Sequence, residues 1–339
     1  MKKLLILLPL LIFVILLLAI KLGGCRWLPV LPSSSTQTSG SESSATIAPT
    51  TSAAGLTPSP APTQTAPSAT TTAATSASAT TAETTAAPTA TPTAGPDPSQ
   101  LSNTKLSWYF NPPSSLGEDQ PATLPSGVRV MISDFAVIWQ QQLSGRKIVY
   151  LTMDEGYEFE DNTAEILDTA WLKGVPITFF ITGNYLRQNP AKVERMLDEG
   201  HLVANHTDSH PDLVDLAAAS GSAGLLKELQ DLEAAFLTRT GENLAKLVRP
   251  PAGVYSERVL GELTAAGYKT VFWSFAYRDW ETGKQPDPAA AMDKILGQLH
   301  NGSVILLHAA SDTNVAILPD LIDEIRARGY DFARIDEIP

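Results

Sequence analysis

Three patterns of apolar and polar positions follow one another along the chain. The first is a continuous apolar run, Leu4 to Ile20, behind Met1-Lys2-Lys3. These 17 residues have a basic start and no polar face, which predicts a secretory signal or single membrane anchor rather than a core helix. The second pattern has no periodicity. Only eight positions in 33–94 are anything other than Ser, Thr, Ala or Pro, and no aromatic occurs between Trp27 and Trp108. Such a stretch buries too little apolar surface to offset its ordering entropy, so a disordered linker is expected. As a coil its 62 residues span roughly 40–50 Å root-mean-square, which suits a tether.

The third pattern begins near Leu101. Its first 45 residues carry Pro112-Pro113, Pro121 and Pro125 and read as an irregular wrapping segment. Beyond them short apolar runs alternate with helical segments. The runs are Ile148–Met153, Ile177–Ile181, His201–Asn205, Leu247–Val248, Thr270–Trp273, Val304–Leu307 and Phe332–Ile335. Between them the spacing predicts helices over Asn162–Lys173, from Asn189-Pro190 to Gly200, and over Ala223–Thr238, Ser256–Ala266, Pro288–Leu299 and Asn314–Arg328. Glycines at 174, 200 and 267 stand where three of them should stop. Seven strands alternating with helices define an α/β domain with a parallel sheet, open or closed as a barrel.

Charge and cysteine content narrow the classes. Of the chain's 24 basic and 36 acidic residues, 20 and 33 lie in 101–339, a net of −13 there. A nucleic-acid binder needs a basic footprint, so no nucleic-acid partner is expected. One cysteine excludes an internal disulfide framework and any zinc site built on several cysteines.

In parallel α/β sheets, chemistry collects at the carboxyl ends of the strands. The first predicted strand runs into Asp154-Glu155-Gly156, the third into His206 with His210 four residues on, and the fourth into Arg249-Pro250-Pro251-Ala252-Gly253. The fifth is followed by Asp279-Trp280 and the sixth runs into His308. Taken singly each has a bland reading: a helix-capping acidic pair, a satisfied histidine, a surface arginine. The spacing of His206 and His210 would point two imidazoles the same way on a helical turn. The joint placement of all five groups on one rim points to a metal-dependent active site.

These motifs resemble those of the polysaccharide deacetylase family, the NodB-homology or carbohydrate esterase 4 group. They stand in order as Thr152-Met153-Asp154-Glu155-Gly156, His206 to His210, Arg249-Pro250-Pro251-Ala252, Tyr277-Arg278-Asp279-Trp280 and Leu306-Leu307-His308. Gly156-Tyr157-Glu158, His210-Pro211-Asp212-Leu213 and Val271-Phe272-Trp273-Ser274 are similar to the delta-lactam-biosynthetic de-N-acetylases within that family. The resemblance covers 101–339 and implies a distorted seven-stranded (β/α) barrel. It further implies hydrolysis of the amide of an N-acetylated sugar, with peptidoglycan glycan strands as substrate, in particular N-acetylmuramic acid of the spore cortex.

The resemblance also assigns roles. Asp154 matches the catalytic base, Arg249 the arginine that holds it ionised, His308 the general acid and Asp279 its tuning partner. Ala252 would lend a backbone N–H to the oxyanion, while Trp280 and Leu306 would wall the sugar and its acetyl methyl. His206, His210 and the residue at Glu155 match the ligands of a divalent metal, Zn or alternatively Co or Mn. Glu155 is a departure, since the family carries Asp there and the delta-lactam group Asn. A metal-poor pseudoenzyme serving as a wall-binding module is the competing expectation. A glycosidase using two carboxylates would leave the twin histidines unexplained.

Leu22-Gly23-Gly24-Cys25 resembles a bacterial lipobox, in which the cysteine is lipidated, although Lys21 departs from that pattern. A lipoprotein, an uncleaved anchor and a released protein all place the remainder outside the cytoplasm, the first two attached to the membrane through the N-terminus. The expected organisation is 1–25 signal/lipobox or anchor, 26–100 disordered linker, and 101–339 catalytic domain, acting as a monomer.

Overall fold

A computed structural model describes residues 97–338 apart from Glu118 and Ser144. The signal or anchor over 1–25 with Cys25, and the linker as far as 96, lie outside the described residues. No helix among the described residues is long and apolar enough to cross a membrane.

The elements run β1 (Leu106–Ser107), α1 (Ser126–Ile132), β2 (Val137–Ile138), β3 (Ile148–Glu155), α2 (Asn162–Lys173), β4 (Thr178–Ile181), α3 (Gly183–Gln188), α4 (Pro190–Asp198) and β5 (Leu202–Asn205). There follow α5 (Leu213–Thr240), β6 (Ala245–Val248), β7 (Val254–Tyr255), α6 (Glu257–Ala265), β8 (Lys269–Val271), α7 (Pro288–Gly297), β9 (Ser303–His308), α8 (Asp312–Ala327) and β10 (Asp331–Phe332). Local chemistry sets several boundaries. Helix α2 stops at Gly174, whose φ of 59° is left-handed, and Ser256 opens α6 by accepting from the Val259 amide. Helix α5 is two limbs joined at Gly221, which has non-helical angles, and Asp212 caps the first limb. That limb was not expected, because Ser220-Gly221-Ser222 reads as a break and hides the turns before it.

All seven expected strands form and join one parallel sheet of order β10-β3-β4-β5-β6-β8-β2, with β9 on β3. Val149 pairs with both Ser303 of β9 and Phe332 of β10, so these strands occupy opposite edges of β3. Past β8, Phe275 bridges in parallel to Ile305, and past β2, Gln140 bridges to Ser303. The far edge thereby returns to β9 and the sheet curls round as a distorted barrel.

The segment before β3 is more ordered than its prolines imply. It contains α1, the strand β1 that pairs antiparallel with β7, and β2, which extends the sheet beside β8. Strands of two residues are too short to show a period, and their partners lie over a hundred residues away in the chain. Trp108 locks this segment down: its ring stacks on Phe272 at 4.1 Å and its indole N–H donates to the Trp273 carbonyl at 2.9 Å.

Strand alternation sorts the core. Val149, Leu151 and Met153 pack with Phe179, Ile166 and Leu321 in the layer between sheet and helices. Ile148 and Tyr150 point the other way and pack with Phe180, Val271 and Val304 inside the curl. At period 2, Thr152 and Asp154 continue the inner set, and Glu155 continues the outer one. Trp108→Ala should cost about 3–5 kcal/mol, read from urea unfolding. A loss below ~1 kcal/mol would mean that the wrap is dispensable to the barrel.

Candidate active site

A cleft of about 770 Å³ opens at the carboxyl ends of the strands, its wall including Asp154, His206, His210, Ala252, Trp280, Leu306 and His308. Tyr157, Trp273 and Tyr277 add aromatic surface. Of the residues singled out from sequence, Arg249 and Asp279 lie just behind this wall, and Glu155 is the one not drawn to it.

Arg249 is fully buried. Its Nη1 donates to Asp154 Oδ1 at 2.7 Å, Nη2 to Thr152 Oγ1 at 2.9 Å and Nε to the Val271 carbonyl at 3.3 Å. Its guanidinium lies 4.1 Å from the centre of the Phe180 ring. Burial alone would raise the Asp154 carboxyl, but the charge and hydrogen bond of Arg249, helped by His308, outweigh it and hold it below the usual carboxylate range. Asp154 is therefore an anion inside the cleft.

His206 follows β5, and His210 stands four residues on in a loop. The segment is not the helical turn expected from its spacing: Thr207 and His210 have φ of 69° and 63°. Left-handed backbone costs a non-glycine residue about 1–2 kcal/mol, more awkwardly for β-branched Thr207, so the surroundings must hold it. The loop nevertheless brings the two rings edge to face with centroids 4.9 Å apart. His206 Nδ1 lies 2.7 Å from the Arg249 carbonyl. A carbonyl only accepts, so Nδ1 carries the proton, and Nε2, 3.6 Å from Asp154 Oδ2, presents its lone pair. Burial lowers His206 to about 4 and lowers His210 as well, leaving both neutral. Two neutral imidazoles with one tautomer fixed from behind suit a divalent cation. Among the described residues no three His, Cys, Asp or Glu groups are gathered to hold a metal.

Glu155 explains the missing third group. It is buried, both carboxylate oxygens lack a partner among the described residues, and burial, then Glu158 and Asp154, raise it well above the ordinary range. It falls on the same face of β3 as Leu151 and Met153, which pack outward, and it is not among the residues that wall the cleft.

On the opposite wall the His308 Nδ1–H donates to Asp279 Oδ1 at 2.8 Å. Asp279 is buried and also accepts from the His308 amide at 2.9 Å and from Asn314 Nδ2 at 2.7 Å. Burial would lower the His308 imidazole, but the hydrogen bond and charge of Asp279 prevail and raise it. Asn314 in turn accepts from the Tyr277 hydroxyl. Asn314 escaped the sequence analysis, and Thr152 and Tyr277 stood in its motifs without a role, since each acts through a partner distant in the chain. Only the shared Tyr277-to-Trp280 string gave Tyr277 a signal. The Trp280 ring, half exposed at the mouth, lies 5.6 Å from that of His308. Ala252 sits at the cleft with a left-handed φ of 53°. Gly253 beside it is obligatory, because a Cβ there would meet the Trp273 ring at 2.6 Å.

A curled parallel sheet with this rim defines the polysaccharide deacetylase class, and the family model for polysaccharide deacetylases matches residues 142–271. The chain belongs to that family and is a hydrolase acting on the amide of an N-acetylated sugar. It is 38% identical over 192 residues to the peptidoglycan-N-acetylmuramic acid deacetylase PdaA of Bacillus subtilis (strain 168), covering 57% of this chain and 71% of that protein. The structure of Bacillus subtilis PdaA, a family 4 carbohydrate esterase, superposes with a TM-score of 0.65 at 33% identity, over 70% of this chain and 98% of that one. A family 4 carbohydrate esterase from Bacillus anthracis gives a TM-score of 0.57 at 33% identity, over 70% and 97%.

Two outcomes are expected. Arg249→Met leaves Asp154 buried without its cation and should cost about 3–5 kcal/mol in urea unfolding. Adding Asp154→Leu should recover part of that loss, and failure to recover any would refute the pairing as its source. Asp279→Asn should lower the pKa of His308, followed by NMR of the ring. Since the raised pKa keeps His308 protonated to higher pH, any rate that needs this proton falls as pH rises through it, and in Asp279→Asn it falls at lower pH.

Proposed function

We propose that this chain deacetylates peptidoglycan outside the cytoplasm, removing the acetyl group of N-acetylmuramic acid on the route to muramic δ-lactam in the spore cortex. One observation carries the reading: on two walls of a single cleft Asp154 is backed by the Arg249 guanidinium at 2.7 Å and His308 by the Asp279 carboxylate at 2.8 Å, which favours the anion of the first and the cation of the second. Similarity to an N-acetylmuramic acid deacetylase supports the choice of sugar.

A divalent ion, Zn or alternatively Co or Mn, would when bound to His206 and His210 polarise the acetyl carbonyl and make water more acidic. Asp154 Oδ2 takes the proton from the attacking water, whose oxygen adds to the amide carbon. Arg249 keeps that base ionised and fixes its direction. The Ala252 N–H receives the developing oxyanion. His308, oriented by Asp279, gives its Nε2 proton to the departing nitrogen as the C–N bond breaks. Acetate and the free amino sugar result. Leu306 and Trp280 wall the acetyl methyl and sugar ring. In this reading 1–25 tethers the protein to the membrane, through Cys25 or the apolar run, 26–100 is the spacer, and 101–339 works as a monomer.

The retreat of Glu155 favours one second reading, a metal-poor wall-binding module. Incubating the full chain with peptidoglycan, and following released acetate and the mass of the sugars, separates the two. Deacetylation should require a divalent metal, stop with chelator, and fall about 10²–10⁴-fold in Asp154→Asn. Binding of the glycan by folded protein with no acetate under any of Zn, Co or Mn would overturn the enzyme and leave the module.

A further inference from the structure

We propose that Glu228, on helix α5 and outside every motif of the cleft, is a positioning residue that clamps the loop bearing His206 and His210. The inference rests on the two histidines being the metal-binding pair of the proposed function. Ser209, between them, is gripped twice by the Glu228 carboxylate: its amide donates to Oε2 at 2.9 Å and its hydroxyl to Oε1 at 2.9 Å. The neighbouring Asp208 amide donates to the Glu228 carbonyl at 3.1 Å. Three donors of a two-residue segment thus end on one residue 19 positions further on.

The clamp has a specific task. Thr207 and His210, which flank the gripped pair, both hold left-handed backbone that neither side chain favours. Left to itself the loop would relax and swing His210 away from His206. The start of the loop has its own fastening: Asn205 donates to the Leu229 carbonyl at 3.1 Å and accepts from the Thr207 amide at 2.8 Å. His206 is fixed by the Arg249 carbonyl and by its place behind β5. Among the described residues the His210 ring has no backing from outside its own residue, and its amide bond to Thr207 Oγ1 at 3.0 Å stays within the loop. Arg187 steadies the outer side through both oxygens of Asp208, at 2.6 and 3.3 Å. The Gly183 and Asn184 amides of α3 hold the Thr207 and Asp208 carbonyls at 3.1 and 3.2 Å, and Glu228 is the contact that ties Ser209 to α5. Its effect should fall on the distance between the two imidazoles and leave the barrel untouched.

The test uses the full chain and three variants, Glu228→Ala, Glu228→Gln and Ser209→Ala. Alanine is a better helix former than glutamate, so α5 is not weakened by the first. Two readouts are taken: amide hydrogen exchange over 206–210, and affinity for Co(II) from its visible absorption. Glu228→Ala should speed exchange in that segment alone and weaken Co(II) binding about 10–100-fold. Ser209→Ala, which loses one of the two carboxylate bonds, should fall between it and wild type. Glu228→Gln can accept from the Ser209 amide and donate to its hydroxyl, so it should behave like wild type. Unchanged exchange over 206–210 in Glu228→Ala overturns the clamp, as does a Gln variant no better than Ala. A wild-type chain that binds no Co(II) overturns the metal reading of the histidines, and the exchange result then judges the clamp by itself.

Discussion

A guanidinium with no exposed surface is the constraint on which the cleft depends. Arg249 carries five N–H donors and a charge, and burying them is tolerable only if acceptors are supplied from every side. They come from β3 through Asp154 and Thr152, and from the Val271 carbonyl at the end of β8, while the residue itself follows β6. One side chain therefore fixes how three strand ends sit relative to one another. Its head sets the charge of Asp154, and its carbonyl sets the tautomer of His206. Asp154 and His206 are tuned from the same residue, so a shift of Arg249 would disturb both together.

The fold was legible where apolar runs are long and bounded by turn chemistry. Asn162 to Lys173 with Gly174 behind it, and Ser256 to Ala266 with Gly267, carry start and stop signals that act within one turn. What escaped was short or non-local. Val137 and Ile138 become a strand only because β8 offers them an edge, and nothing in their own neighbourhood encodes that edge. The first limb of α5 was hidden by Ser220-Gly221-Ser222, where a break inside the helix looks like the end of a loop.

At the site, the strand-end rule located Asp154, His206, Arg249 and His308 because the chain itself marks where strands end. It could not tell which of two adjacent carboxylates faces the cleft. The alternation of β3 was present in the sequence: Tyr150, Thr152 and Asp154 fall on one face and Leu151, Met153 and Glu155 on the other. Following that period to the last residue of the strand would have separated Glu155 from Asp154. The supporting groups were beyond reach for a different reason. Asn314 matters because it meets Asp279 across the fold, and only the assembled barrel brings them together.

The same residue type does opposite work on the two walls of the cleft, and the partner of one ring nitrogen decides which. In His206 and in His308 alike, Nδ1 bears the proton and donates it to an oxygen behind the ring. For His206 that oxygen is a neutral backbone carbonyl, which fixes the tautomer but adds little to hold a positive charge, so burial prevails and the ring stays neutral. For His308 it is the buried carboxylate of Asp279, itself steadied by Asn314, and its charge outweighs the burial. Exchanging the two backing groups would favour the cation at His206 and the neutral ring at His308. The opposite preferences of these two rings are therefore set behind the imidazoles, in the contrast between one peptide carbonyl and one carboxylate.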